Sequence, residues 1–214
     1  MWVSETVLVS RNKALIAFAV VLLAVFWYIR ADVPEAARPT AGTSIIAFGD
    51  SLVAGQGATP GNDFVSLLSR RLGVSIINAG QGGDTTAAAL ARVDSDVLSR
   101  DPRIVIVLLG GNDFLRRVPK EQTFANLATI VERIRSRGAA VVIVGVNVGL
   151  WRDPYGDEYE RLARRASAGL VPEILDDIIG DQRLMADSIH PNDLGYRIVA
   201  DRVEPALREL LQAD

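Results

Sequence analysis

From Ser44 onward, short apolar runs alternate with longer stretches in which apolar residues recur every three or four positions. The runs Ser44–Phe48, Val74–Asn78, Ile104–Leu109 and Ala140–Val146 are rich in β-branched residues and bounded by Gly, Asp or Pro, which predicts buried strands. Between them the spacing predicts helices at about 62–72, 85–99, 121–136 and 157–168. Gly73 and Gly138 fall where C-terminal caps belong, and Gly169 is expected to close the fourth helix. A short fifth strand around Leu170–Leu175 suits an edge position, because Pro172 cannot donate to a ladder. A last helix is expected from about Asp193 to Leu211. Strand–helix alternation of this kind predicts an α/β domain. Its form is a three-layer α/β/α arrangement with a doubly wound parallel sheet of about five strands. Ligands of such sheets bind beyond the carboxyl ends of the strands.

The N-terminus breaks the pattern. Ala14 to Ile29 is a run of 16 apolar residues with no polar face, flanked by Arg11 and Lys13 before it and Arg30 after it. As a helix it would be about 24 Å long, close to the hydrocarbon thickness of a bilayer, with Trp27 and Tyr28 at the interfacial end. The expected role of residues 1–30 is a signal-anchor or transmembrane segment that partners the membrane. The cations before the run favour a cytoplasmic N-terminus and an exported remainder. No A-x-A site follows Ile29, which favours an uncleaved anchor over a signal peptide that releases a secreted product. Residues 31–43, with Pro34 and Pro39, are expected to be a tether, and 44–214 the folded domain.

Composition narrows the chemistry. The 214 residues include no cysteine and one histidine, which excludes a disulfide framework, a thiol nucleophile and a multi-histidine zinc cage. The net charge is −3, and residues 1–30 carry +2, so the domain side carries −5. A chain so charged is not built to grip nucleic acid.

Polar clusters follow the first three strands and stand again near the C-terminus. They are Gly49-Asp50-Ser51-Leu52-Val53-Ala54-Gly55, Asn78 to Thr85, Gly110-Gly111-Asn112-Asp113, and Asp187-Ser188-Ile189-His190-Pro191. Any one of them, taken alone, reads more readily as an ordinary loop than as a functional site. Together they supply a nucleophile in Ser51, a base in His190, an orienting carboxylate in Asp187, and amide donors. Acyl transfer requires that inventory.

These four blocks resemble those of the SGNH hydrolases, the GDSL esterases and lipases, and are similar to the bacterial thioesterase, lysophospholipase and arylesterase branch. Gly49-Asp50-Ser51-Leu52 with Gly55 matches the first block, Gly110-Gly111-Asn112-Asp113 the third, and Asp187-x-x-His190-Pro191 the last. In the looser second block the glycine before Asp84-Thr85 corresponds, which points to Gly83. The resemblance spans roughly 44–211. It implies a flavodoxin-like sheet and a Ser51–His190–Asp187 triad. It also implies an oxyanion hole of Ser51 N–H, Gly83 N–H and the Asn112 side chain, with no cofactor or metal. Asp50 and Asp113 are expected to brace their loops.

Rival readings fit less well. The second glycine of a G-x-S-x-G elbow is missing after Ser51. Gly55-x-Gly57-x-x-x-Gly61 departs from the dinucleotide fingerprint, and Pro60 would interrupt its helix. Asp94 and Asp96, the carboxylates a metal phosphohydrolase would want, lie in a helical run on an expected solvated face. A non-catalytic anchored binding module stays open as a different class. For substrate, a small-molecule acyl ester or thioester is expected. Leu150 and Trp151, after the fourth strand, are the candidate lining of an acyl pocket or else a cover for the core edge. Carbohydrate O-deacetylation is the alternative, and the oligomeric state is not legible.

Overall fold

The computed structural model describes residues 36–146 and 155–212. The apolar run of residues 14–29 and the Leu150–Trp151 loop lie outside these. Among the described residues, no helix is long and apolar enough to cross a membrane.

Five parallel strands form one sheet: β1 (Ser44–Gly49), β2 (Ile76–Gly80), β3 (Pro102–Leu108), β4 (Ala140–Val144) and β5 (Gly169–Val171). Their order is β2-β1-β3-β4-β5. The helices are α1 (Ser51–Ala54), α2 (Phe64–Leu72), α3 (Thr86–Asp96), α4 (Gly111–Leu115), α5 (Lys120–Arg135), α6 (Gly156–Ala166) and α7 (Asp193–Leu211).

Alternation along each strand feeds two cores. Ile45 and Ala47 of β1, with Ile104 and Ile106 of β3, face α2 and α7, where Phe64, Tyr196 and Val203 complete one buried cluster. Ile46 and Phe48, with Val105 and Val107, face the opposite way, onto Val93 of α3, Ile130 of α5 and Leu162 of α6. A sheet buried on both sides explains why its strands read as unbroken apolar runs. The strand order reverses between β1 and β3, which opens a crevice at their carboxyl ends. Ser51 follows β1 and Asn112 follows β3 beside that crevice.

Several expected boundaries shift for local reasons. The second strand begins at Ile76 rather than Val74, because Val74 still belongs to the end of α2. Its N–H donates to Ser69 O and its carbonyl accepts from Ser69 Oγ. Gly73 is the α2 cap, at φ +67°. Gly169 does not close α6. Ser167 takes the left-handed position instead, at φ +47°, and Gly169 opens β5. β5 does sit at the sheet edge but ends at Val171, before Pro172. Residues 36–43, the described part of the expected tether, are bonded across the starts of three strands. Ala37 N–H donates to Ser167 O, Thr40 N–H to Gly138 O and Thr43 N–H to Asp101 O.

Candidate active site

The geometry begins at the end of β1. Asp50 caps α1, its Oδ1 accepting from Leu52 N–H at 3.0 Å, so Ser51 is the first helical residue and is buried. Glycine is required on both sides of this turn by close approach. A Cβ on Gly49 would fall 2.2 Å from Leu108 O, and one on Gly80 would fall 2.2 Å from Ala54 N.

His190 reaches the same point from the other end of the chain. Residues 184–192 fold back on themselves, with Ala186 N–H donating to His190 O and Asn192 N–H to Leu184 O. Asn192 then caps α7 through Leu194 N–H and Gly195 N–H. This places His190 Nε2 3.0 Å from Ser51 Oγ and His190 Nδ1 2.7 Å from Asp187 Oδ2. Asp187 Oδ1 accepts the N–H groups of Ile189 and His190, each at 2.8 Å. Those backbone donors, led by Ile189, together with the imidazole, hold the Asp187 carboxyl down at about 2 although its side chain is 49% exposed. With Asp187 ionised and accepting at Nδ1, the proton belongs on Nδ1, and the Nε2 lone pair faces Ser51.

Two of the expected oxyanion donors stand on the turns after β2 and β3. Gly83 stands in the turn after β2 at φ +81°, a conformation natural to glycine. Its N–H meets no protein acceptor among the described residues. The Asn112 amide donates to Asp84 O at 3.0 Å and, at a longer 3.3 Å, to Asp50 Oδ2. Asp50 is buried, and burial pushes its carboxyl up to about 6, against the Leu52 N–H and His190, which favour the ionised form. Asp113 is fully buried and accepts from Thr86 N–H, Thr86 Oγ1 and Thr123 Oγ1, binding α4 to α3 and α5. Both aspartates therefore brace their loops. Asp94 is exposed and paired with Arg133, while Asp96 pairs with Arg92.

Two arginines join these loops. Arg92, on α3, donates to Asp84 Oδ2, Asp96 Oδ2, Ala79 O and Gly49 O, and lies 4.5 Å over the Phe48 ring. It thereby ties the ends of β1 and β2 to the Gly83 loop. Arg116, at the end of α4, donates to Gly83 O at 2.8 Å. Sequence reasoning missed both, because an arginine in a helical run reads as a surface residue.

A cavity of about 190 Å³ opens beside Ser51 and His190, walled by Phe114, Leu115, Val146, Leu175, Ile179 and Ile189. Leu115, Ile179 and Ile189 are large apolar side chains that remain exposed, at 58%, 43% and 43%. These residues were not legible as a pocket. Leu175 and Ile179 belong to an irregular stretch without periodicity, and Leu115 to a helix of one turn. Leu150 and Trp151 lie outside the described residues.

Comparison with known proteins gives the same arrangement a family. Residues 47–198 match the GDSL-like Lipase/Acylhydrolase family. Esterase TesA of Pseudomonas aeruginosa is 32% identical over 185 residues, covering 81% of this chain and 92% of its own. Thioesterase 1/protease 1/lysophospholipase L1 of Escherichia coli (strain K12) is 29% identical, covering 83% and 89%. A crystal structure of TesA superposes with a TM-score of 0.74 at 31% identity, over 78% of this chain and 99% of that one. The family match runs from β1 into α7, across three of the four polar blocks and the fourth at its end, so this chain belongs to the GDSL-like lipase/acylhydrolase family and is a hydrolase of ester bonds.

Proposed function

We propose that the chain is a serine esterase that hydrolyses carboxylic ester or thioester bonds of small acyl substrates through an acyl-enzyme. One observation carries this reading: the Ser51–His190–Asp187 chain of contacts, 3.0 and 2.7 Å, at the mouth of an apolar cavity. His190 Nε2 takes the Ser51 proton as Oγ attacks the acyl carbonyl, and Asp187 holds the imidazole and stabilises its charged form. The negative oxygen is received by Ser51 N–H, Gly83 N–H and the Asn112 amide. Asn112 keeps its shorter bond to Asp84 O and turns its longer, weaker one away from Asp50. His190 returns the proton to the departing alcohol or thiol. Water then repeats the sequence on the acyl-enzyme.

An acyl chain suits the cavity better than a sugar does, because its walls are Leu, Ile, Val and Phe side chains. Thioesterase and lysophospholipase are names borne by the Escherichia coli relative, and both describe acyl substrates. Leu150 and Trp151 stay in this reading as candidate acyl-contacting residues. Residues 1–30 anchor the enzyme in the cytoplasmic membrane with the domain outside, so protease added outside the membrane removes the domain from intact spheroplasts. A mature form beginning after Arg30 contradicts the anchor.

The test of substrate class is a hydrolysis panel of aryl esters, acyl thioesters, lysophospholipids and acetylated sugars. Turnover of medium or long acyl groups by wild type, and its loss in Ser51→Ala, is the expected result. Activity confined to acetylated sugars makes the enzyme an O-deacetylase, and no turnover on any of them leaves a binding module.

A further inference from the structure

Gly83 is the least supported member of the site. It follows a second glycine, sits at φ +81° and has no side chain to pack. Its loop closes on itself through one long bond, Asp84 N–H to Gln81 O at 3.2 Å. An N–H that must point at an oxyanion cannot be left to so loose a turn, since preorganised direction is what makes such a donor effective.

Arg92 holds the next residue through the Asp84 side chain, but the backbone carbonyls of the loop are held from α4. Asn112 donates to Asp84 O, and Arg116, one turn later with its own N–H on Asn112 O, donates to Gly83 O at 2.8 Å. One short helix thus grips two consecutive carbonyls of the loop. The Gly83–Asp84 peptide is then held at both ends, by Gln81 O at its N–H and by Arg116 at its carbonyl. Only rotation about the Gly83 Cα bonds remains to orient the neighbouring N–H. Arg71, Arg133, Arg161, Arg183 and Arg208 pair with carboxylates, whereas Arg70 and Arg202, like Arg116, bond backbone carbonyls. Among the described residues, the Arg116 side chain has no carboxylate partner and bonds the neutral Gly83 carbonyl.

We propose that Arg116 is a positioning residue for the reaction, fixing the Gly83 carbonyl and so, across the Gly83 Cα, the direction in which the Gly83 N–H meets the developing oxyanion. This rests on the reading of Gly83 and Asn112 as oxyanion donors. Arg116 touches neither the acyl chain nor the reacting atoms. Its effect belongs to the transition state, where the oxygen becomes negative, and not to binding of the uncharged ester.

The test uses the full chain and an uncharged p-nitrophenyl acyl ester, with an alkyl trifluoromethyl ketone as a probe whose adduct with Ser51 carries the oxyanion. Arg116→Ala should lower kcat on the order of 10–100-fold, leave KM within about twofold, and weaken the trifluoromethyl ketone by the same factor as kcat/KM. The melting temperature should hold, because Arg116 is exposed. Arg116→Lys, which keeps a charged donor, should recover part of the loss. Unchanged kcat in Arg116→Ala overturns the proposal, as does a rise in KM alone, which marks a substrate-binding cation. A parallel loss of activity and melting temperature in both variants overturns it too, leaving a structural role. Ser51→Ala and Asn112→Ala are run alongside. If Ser51→Ala keeps its activity, or Asn112→Ala keeps full kcat, the underlying reading has failed instead.

Discussion

Asp50 is placed at a cost to the fold that depends on pH. Its carboxyl moves from 3.8 to about 6, chiefly through burial, so between those values the folded state holds a proton that the unfolded chain has lost. The stability from that proton is complete below about pH 4 and is lost as the pH rises through about 6, a difference of about 3 kcal/mol. Asp187 acts in the opposite direction and lower down, since its depressed carboxyl supports the fold above about pH 4 and ceases to as the pH falls toward 2. Urea unfolding of wild type and Asp50→Asn at intervals from pH 4 to 6.5 separates the two. The wild type should lose stability relative to the variant as the pH rises, and parallel curves contradict the assignment. Asn112 gives a kinetic prediction at the same scale. Asn112→Ala should lower kcat by about 10²–10³ with little change in KM. A raised KM at constant kcat makes Asn112 a ground-state binder. Ser51→Ala and His190→Ala should each remove most activity, and the double variant should be little worse, because the two act as a unit.

At the scale of elements, the site is built by two helices of a single turn or little more, α1 and α4, inserted where β1 and β3 end. Their position depends on close backbone contact with the next strand. Gly80→Ala would press a methyl group onto Ala54 N and Val53 C, displacing α1 and the nucleophile with it. We expect a loss of about 1–3 kcal/mol in urea unfolding and a fall in kcat larger than that loss of fold explains. Full activity in Gly80→Ala removes the tight β2–α1 contact from the account. These elements also mark where the sequence is readable. The strands and long helices announce themselves because burial on two faces and amphipathic periodicity act over many residues, and Asp193–Leu211 was bounded correctly from its pattern. Ser51, Asp187 and His190, which the fold brings within hydrogen-bonding distance, were legible as residue types in ordered blocks. A helix of four or five residues has no periodicity to read. The start of β2 was lost because Val74 is apolar whether it ends a helix or begins a strand. Arg92 and Arg116 were missed for another reason: what they hold are backbone carbonyls, which every residue has.

Among the described residues, the two cores leave few large apolar side chains in water, and Leu115, Ile179 and Ile189 are gathered at one cavity beside Ser51. Each substrate methylene buried there should contribute about 0.8 kcal/mol, so kcat/KM should climb with acyl length until the cavity is full. Leu115→Ala and Ile179→Ala should flatten that climb while sparing acetyl esters, and Trp151→Ala tests the loop after β4 in the same series. Profiles of unchanged shape place the acyl chain elsewhere. The central claim is narrower than any of this: Ser51 is the nucleophile, driven by His190. Intact-protein and peptide mass spectrometry after exposure to an alkyl p-nitrophenyl phosphonate tests it most directly. The account predicts one covalent phosphonyl group on Ser51, formed in step with loss of esterase activity and much more slowly in His190→Ala. Complete inactivation with the group on another residue, or no adduct while turnover continues, would contradict it.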